Sequence, residues 1–284
     1  MLTTASPPRA PTLPPTAELD RRLAELDKQG FTILPGFLDR ETTRRLREHT
    51  DAVIGTKPPN VDAHQSVIST LRHPIPGDIM AEMVTEQHLE LANRILQANE
   101  LRLIEQVLLR TDTAKVLDPS PCGWHIDMAF HPKHYAARPQ QTYVHMVHML
   151  STVKPGGGAT MVVPGSHHQH YAAAKQLADQ HHGQFDMLDQ KTIKEEILRI
   201  ANVDKTKAVE IPANEGDLVM FNPMCLHAGS RNTLTQSRYV MFMQFMDASA
   251  TELNTVLNDM KWRDGFPDSL RNGLPPQWRS LLNR

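Results

Sequence analysis

The sequence predicts a mainly β chain, a double-sheet jelly roll with helices packed against it. Two patterns carry that prediction. Ahead of about residue 100, apolar residues recur at helical spacing; beyond it, short apolar or alternating runs read as strands. Turn signals such as Pro164-Gly165-Ser166-His167 and Gly216-Asp217 punctuate those runs, and no internal repeat breaks the series.

Residues 1–16 hold five prolines among Ser, Thr and Ala, a composition that predicts a disordered lead ahead of one domain over 17–284. Leu19, Leu23 and Leu26 predict a helix that Gly30 stops, followed by a short strand at Phe31-Thr32-Ile33-Leu34. Asp39 is placed to cap a second helix through about Val53. Met80 to Gln97 reads as one helix with Met80, Met83, Val84, Leu91 and Ile95 on its apolar side. Strands are expected at Leu101–Arg110, with Arg102, Ile104, Gln106 and Leu108 on one face, at Thr142–Leu150 and at Thr160–Val163. Residues 168–205 are polar and helix-prone, an insertion between strands, and its His167, His168, His170, His181 and His182 read as a solvated tract. Strands resume at Ala208–Ile211, Leu218–Asn222 and Arg238–Met246, and the tail from Thr251 looks helical.

Composition narrows the function. A net charge of -2 gives no electrostatic case for nucleic acid or an anionic membrane, and no apolar run approaches the ~18 residues of a membrane span. Two cysteines, Cys122 and Cys225, make no disulfide framework and read as buried thiols. A cytoplasmic protein acting on a small molecule is expected, with its oligomeric state left open.

The chemistry starts at Gly123-Trp124-His125-Ile126-Asp127. On an extended strand His125 and Asp127 start on one face, and an imidazole, a carboxylate and one more ligand make an iron(II) site with open positions. With fifteen His in the chain the tripeptide alone is ordinary. The second segment is Gly216 to Asn232, where a turn and an apolar strand lead to His227. Eleven residues on, Arg238 shares a strand face with Val240, Phe242 and Gln244. A guanidinium on an apolar face needs an anion, and a bidentate carboxylate, such as the far end of a keto acid bound to the metal, is the natural partner.

With these residues in place, the chain resembles the phytanoyl-CoA dioxygenase family of iron(II)- and 2-oxoglutarate-dependent oxygenases. The likeness runs through Gln29 to Leu38, through Trp124-His125-Ile126-Asp127, through Gly158 to Ser166-His167, and through Gly216 to His227 with Arg238 beyond. It implies a double-stranded β-helix, the cupin-like jelly roll. It also implies that His125, Asp127 and His227 bind Fe(II) as the catalytic centre, that Arg238 anchors 2-oxoglutarate, and that O2 is consumed as succinate and CO2 form. Gln106, nineteen residues before His125, resembles a strand Gln that contacts 2-oxoglutarate in several members. Two departures stand out. Members often carry Ser two residues after the distal His, where this chain has Gly229, with Ser230 one later; and the family's Trp on the second strand is absent, leaving Tyr143, His145 or Val147 to line that wall. Ser230 and Tyr143 complete the candidate cosubstrate shell. Related halogenases replace the carboxylate by a small residue, so Asp127 disfavours halogenation.

The implied activity is oxidation of a small organic metabolite, with hydroxylation as the main outcome and natural-product metabolism as its setting. Desaturation, ring closure or endoperoxide formation are same-class alternatives. A non-catalytic metal- or ligand-binding jelly roll and a zinc hydrolase on the same three ligands are the rivals. Structural readings also stand beside each site residue. His125 and His227 as core histidines, Asp127 as a cap, Arg238 paired with Asp217 and Gln106 bonded to a neighbouring strand are the alternatives. His145 and His148 fall on opposite faces, with core packing expected for either.

Overall fold

A computed structural model describes residues 10–54, 65–69, 77–113, 122–127, 141, 143–181, 190–248, 266 and 268–282. Among these, strands dominate the second half of the chain and helices the first, as the hydrophobic periods predict. Helix α1 (Thr16–Gln29) buries Leu19 and Leu26 and ends at Gly30, whose φ of 83° suits a residue without Cβ and whose N–H returns to Leu26 O. Strand β1 (Phe31–Leu34) follows, then α2 (Arg40–Ile54), capped by Asp39 through a 2.8 Å bond from Thr42 N. The single helix expected over Met80–Gln97 is two: α3 (Gly77–Glu82) and α4 (Glu86–Leu96). Thr85 lies between them in extended conformation, and its hydroxyl bonds the His88 ring instead of capping α4.

The larger sheet has six antiparallel strands in the order β1-β8-β5-β10-β3-β2, using β2 (Gln65–Ser69), β3 (Leu101–Thr111), β5 (Tyr143–Met149), β8 (Leu218–Phe221) and β10 (Arg238–Asp247). The smaller has four, β4-β9-β6-β7, built from β4 (Cys122–His125), β6 (Thr160–Val162), β7 (Val209–Glu210) and β9 (His227–Gly229). Strands β2 and β9 have no counterpart in the sequence reading, and β4 is the extended strand supposed there for His125; each is five residues or fewer. Such segments are too short for a period to declare itself.

Both faces of the larger sheet are covered, which explains why β5 is buried at all seven positions. Val144, Met146, Met220, Met241, Met243 and Phe245 face the helices, while Val147, Val219, Phe221 and Val240 face the smaller sheet. The Met-rich strands are core, as expected. A bulge sets the faces of β3. Gln244 pairs with Glu105 and Phe245 with Leu103, so Ile104 is the extra residue. Leu103, not Ile104, therefore shares the helix-side core with Leu108. This corrects the face drawn from strict alternation.

The insertion begins two residues earlier than expected, as α5 (Ser166–Gln180) and α6 (Gln190–Ala201). It is packed, not solvated. Tyr171, Ala174, Leu177, Ile193 and Ile197 form one cluster with Ile126 and Met224, which lie beside the two metal-motif segments. His167 and His170 are correspondingly buried, which corrects the solvated reading for both; His182 lies outside the described residues. Of the proline-rich lead, Thr12 N bonds Phe37 O, while 1–9 lie outside the description. The tail contributes α7 (Asp268–Gly273) and a 3-10 turn over Pro276–Leu282; residues 249–265 lie outside the description.

The end of α1 meets the second metal-motif segment. Gly165 N bonds Gln29 O, Asn222 N bonds Gly30 O and His167 donates from Nε2 to Asp27 O. A Cβ on Gly30 would lie 2.7 Å from His167 Nδ1 and 2.8 Å from Cys225 Sγ, so only glycine fits.

Candidate metal centre

Strands β4 and β9 pair so that His125 lies directly opposite His227, and the two ring centroids are 4.3 Å apart. The turn Asn222–Leu226 separates β8 from β9 and crosses from one sheet to the other, so His227 opens a new strand rather than following one into a loop. Asp127 lies two residues beyond His125, on the same side, and its N–H is held by Pro223 O from that turn. His125 Nε2 is 3.5 Å from Asp127 Oδ1, and His227 Nε2 is 3.2 Å from Oδ2. One donor atom from each of the three residues falls within 4.8 Å of the others, the only such group among the described residues.

Hydrogen bonds set the tautomers. His125 Nδ1 donates to Gly123 O at 2.7 Å and His227 Nδ1 to Cys225 O at 2.8 Å, which leaves both Nε2 lone pairs facing the carboxylate. Burial alone would raise the Asp127 carboxyl, but His227, His145 and His125 around it hold it well below the usual carboxylate range. The site is thus two neutral-capable imidazoles and an ionised carboxylate, a donor set that suits a divalent iron and leaves positions open.

The three residues line a cavity of about 270 Å³ between the sheets. Arg238 lies in the same cavity, with Thr160, Phe221 and Phe242 among its walls. Arg238 is 4% exposed, and its closest polar contact is a 3.4 Å approach to Thr160 Oγ1. It makes no ion pair among the described residues, and its Nε is without a partner. Burial pulls the guanidinium down to about 10. Asp217, the structural alternative, instead accepts from Gly36 N and Asn214 N. A buried cation that lines the same cavity as a metal-type donor set fits a dianionic keto acid, one carboxylate of which it would pair.

Other expected shell residues are placed differently. Gln106 is fully buried on the helix side of β3, where Nε2 donates to Met80 O at 2.8 Å; Val107 and Leu109, on the opposite face, line the cavity. Ser230 also turns away: its hydroxyl donates to Ala159 O at 2.9 Å and approaches Glu210, while Gly229 borders the cavity. Tyr143 packs with Ile126 and Met246 beside the centre, edge-on to the His145 ring at 4.7 Å.

His145 is the residue that sequence reasoning underweighted. It lines the cavity, and its Nε2 lies 2.6 Å from Asp127 Oδ2. Alternation allowed at most one of His145 and His148 to face inward and core packing was expected for either, although His145 stood among the residues that could line the wall. His148 faces the helices instead, where its Nε2 meets His88 Nε2 at 2.7 Å. Lys194 of α6 was not anticipated either. It donates to the main-chain oxygen of Asp127, and burial lowers its ammonium below the usual lysine value.

A family model described as phytanoyl-CoA dioxygenase (PhyH) matches residues 26–240. Among curated proteins no sequence matches the chain. Among solved structures, the chain is similar to the non-heme alpha ketoglutarate dependent epimerase SnoN from nogalamycin biosynthesis, at TM-score 0.58 and 19% identity over 82% of this chain and 84% of that one. The carbocyclase SnoK of the same biosynthesis gives TM-score 0.56 and 18% identity over 84% and 88%. HygX from Streptomyces hygroscopicus, with nickel and 2-oxoglutarate bound, gives 0.54 and 16% over 80% and 86%. At these identities the structural likeness speaks for the fold, while the family match spans every residue of the candidate centre.

Proposed function

The chain belongs to the phytanoyl-CoA dioxygenase family, and from that premise we propose how its own residues carry the reaction. The enzyme is an Fe(II)- and 2-oxoglutarate-dependent dioxygenase. When bound, the metal and keto acid supply the oxidising power, as 2-oxoglutarate and O2 become succinate and CO2. His125, Asp127 and His227 hold the iron. Arg238 pairs with the far carboxylate of 2-oxoglutarate and so fixes the orientation of the chelate. Phe221, Phe242, Val107 and Leu109 line the cavity and exclude water around it.

The observation that carries this reading is the unpaired, buried Arg238 in the same cavity as the three donor residues. A zinc hydrolase using those three ligands has no use for that guanidinium. The substrate is a small organic metabolite of natural-product metabolism, oxidised at an unactivated carbon, with hydroxylation as the outcome. The nogalamycin-pathway neighbours, an epimerase and a carbocyclase, support that setting and keep ring closure in view as a same-class outcome.

The test is aerobic turnover of 2-oxoglutarate with added Fe(II) against a panel of polyketide- and sugar-type metabolites, followed by succinate. Succinate that requires Fe(II) and O2, rises with one class of metabolite and vanishes in Asp127→Ala supports the reading. Hydrolysis of a panel member that persists in Arg238→Met and without O2 would establish the hydrolase instead.

A further inference from the structure

Asp127 is held from three directions by the protein itself. Pro223 O takes its N–H, Lys194 of α6 donates to its main-chain oxygen, and His145 of β5 meets its carboxylate. His145 stands across from Gln244 on β10 and across from Phe221 on β8. Gln244 Nε2 donates to His145 Nδ1 at 3.2 Å. An imidazole that accepts at Nδ1 carries its proton on Nε2. Phe221 stacks on the ring at 4.5 Å with planes 10° apart, and Tyr143 meets it edge-on, so the ring is fixed in plane.

That places an N–H at the 2.6 Å contact with Oδ2. The pair is short of hydrogen-bond alignment, since neither Nε2 nor Oδ2 has a well-aligned partner. Two lone pairs would repel at that separation, however, so a proton between the atoms is the arrangement consistent with it. His145 Nε2 is also outside the group of donor atoms that share a 4.8 Å radius, which separates it from the ligand set.

We propose that His145 is a positioning residue for the metal centre: it donates Nε2–H to Oδ2 of Asp127, Gln244 fixes the tautomer, and Oδ1 alone is left to bind the metal. This rests on the reading that His125, Asp127 and His227 hold Fe(II). With Oδ2 engaged by His145, the carboxylate would hold the metal through one oxygen and leave it more room for the keto acid and O2 than a bidentate carboxylate would. The strand wall thereby protects the coordination count that the reaction needs.

The test uses anaerobic Fe(II) titration of the full chain by calorimetry, then the visible charge-transfer band that appears when 2-oxoglutarate chelates the iron. In His145→Leu, Fe(II) affinity falls about 10- to 100-fold and the band shifts. His145→Gln, which restores an amide N–H near the Nε2 position, recovers most of both, and Gln244→Met gives an intermediate loss. If His145→Leu binds Fe(II) as tightly as the parent with an unchanged band, the positioning role is overturned and the three-residue centre stands. If His145→Gln is as defective as Asp127→Ala, His145 is a ligand and the proposal fails. If the parent binds no Fe(II), or Asp127→Ala binds it unchanged, the three-residue centre and the proposal fall together.

Discussion

Replacing Arg238 with methionine should stabilise the protein while crippling cosubstrate binding, a pairing of effects that a structural arginine would not give. In the folded chain burial pulls the guanidinium from its ordinary value down to about 10. It remains charged at neutral pH, so that desolvation is borne in full. At ~1.4 kcal/mol per unit, the depression corresponds to about 3 kcal/mol against the folded state. The contact with Thr160 is long and returns little of it. Methionine has similar reach, fills the space and carries no charge, so the protein without 2-oxoglutarate should gain about 1–3 kcal/mol, or a few degrees in melting temperature. Losing one partner of a buried charge pair costs ~2–5 kcal/mol, so 2-oxoglutarate affinity should fall at least about 30-fold. Urea denaturation without cosubstrate and calorimetric titration of 2-oxoglutarate read the two effects separately. A loss of about 3 kcal/mol or more in the first, with unchanged affinity in the second, would refute the reasoning and show a guanidinium already paired within the fold.

Two further outcomes follow from other buried polar groups. Burial, and for His88 also the neighbouring His148, holds both imidazoles below 6.5 in the folded state, His148 at about 4. The unfolded chain therefore takes up protons first as pH falls. The stability contributed by the neutral pair is whole above pH 6.5 and drains away as pH falls, for His148 toward about 4, at ~1.4 kcal/mol per pH unit. Denaturation free energies measured across that range should fall less steeply in His148→Leu, and an unchanged slope would mean that the pair is already charged in the native protein. Ser230→Ala should cost about 1 kcal/mol, the value of the bond to Ala159 O, and leave the KM for 2-oxoglutarate unaltered. A several-fold rise in that KM would put the hydroxyl in the cosubstrate shell after all.

How far the sequence could be read depended on the length of the feature. The His125–Asp127 spacing, the apolar run into His227 and the Arg238–Val240–Phe242–Gln244 face were legible because period-two alternation is local. The same rule misplaced Ile104, because it is the extra residue of a bulge and a bulge leaves no mark on hydrophobic periodicity; Gln106 and Leu108 do share a face, and it is the helix side, where the family resemblance did not put Gln106. Alternation separated His145 from His148 but could not say which face is the inner one; that is set by the pairing of β5 between β8 and β10. Direct opposition of His125 and His227 depends on two strands of four residues or fewer in different parts of the chain, which carry no periodic signal. The burial of His167 and His170 was hidden by polar composition, since both spend a ring nitrogen on a main-chain oxygen, of Asp27 and Met224 respectively.

The glycine at the end of the first helix ties remote ends of the polypeptide to the reaction. Cys225 Sγ leaves no room beside Gly30, and Cys225 O is the acceptor that orients the His227 ring. Whatever displaces the last turn of α1 therefore displaces the aim of an imidazole proposed to bind the metal. The family match begins at residue 26, inside that helix, so a chain trimmed to the matched region keeps every ligand but loses Leu19 and Leu23, which seat the helix against the core. Fusion partners joined ahead of Thr16 bear on the same lever, and for this enzyme the choice of N-terminal boundary is a choice about iron affinity as much as about solubility.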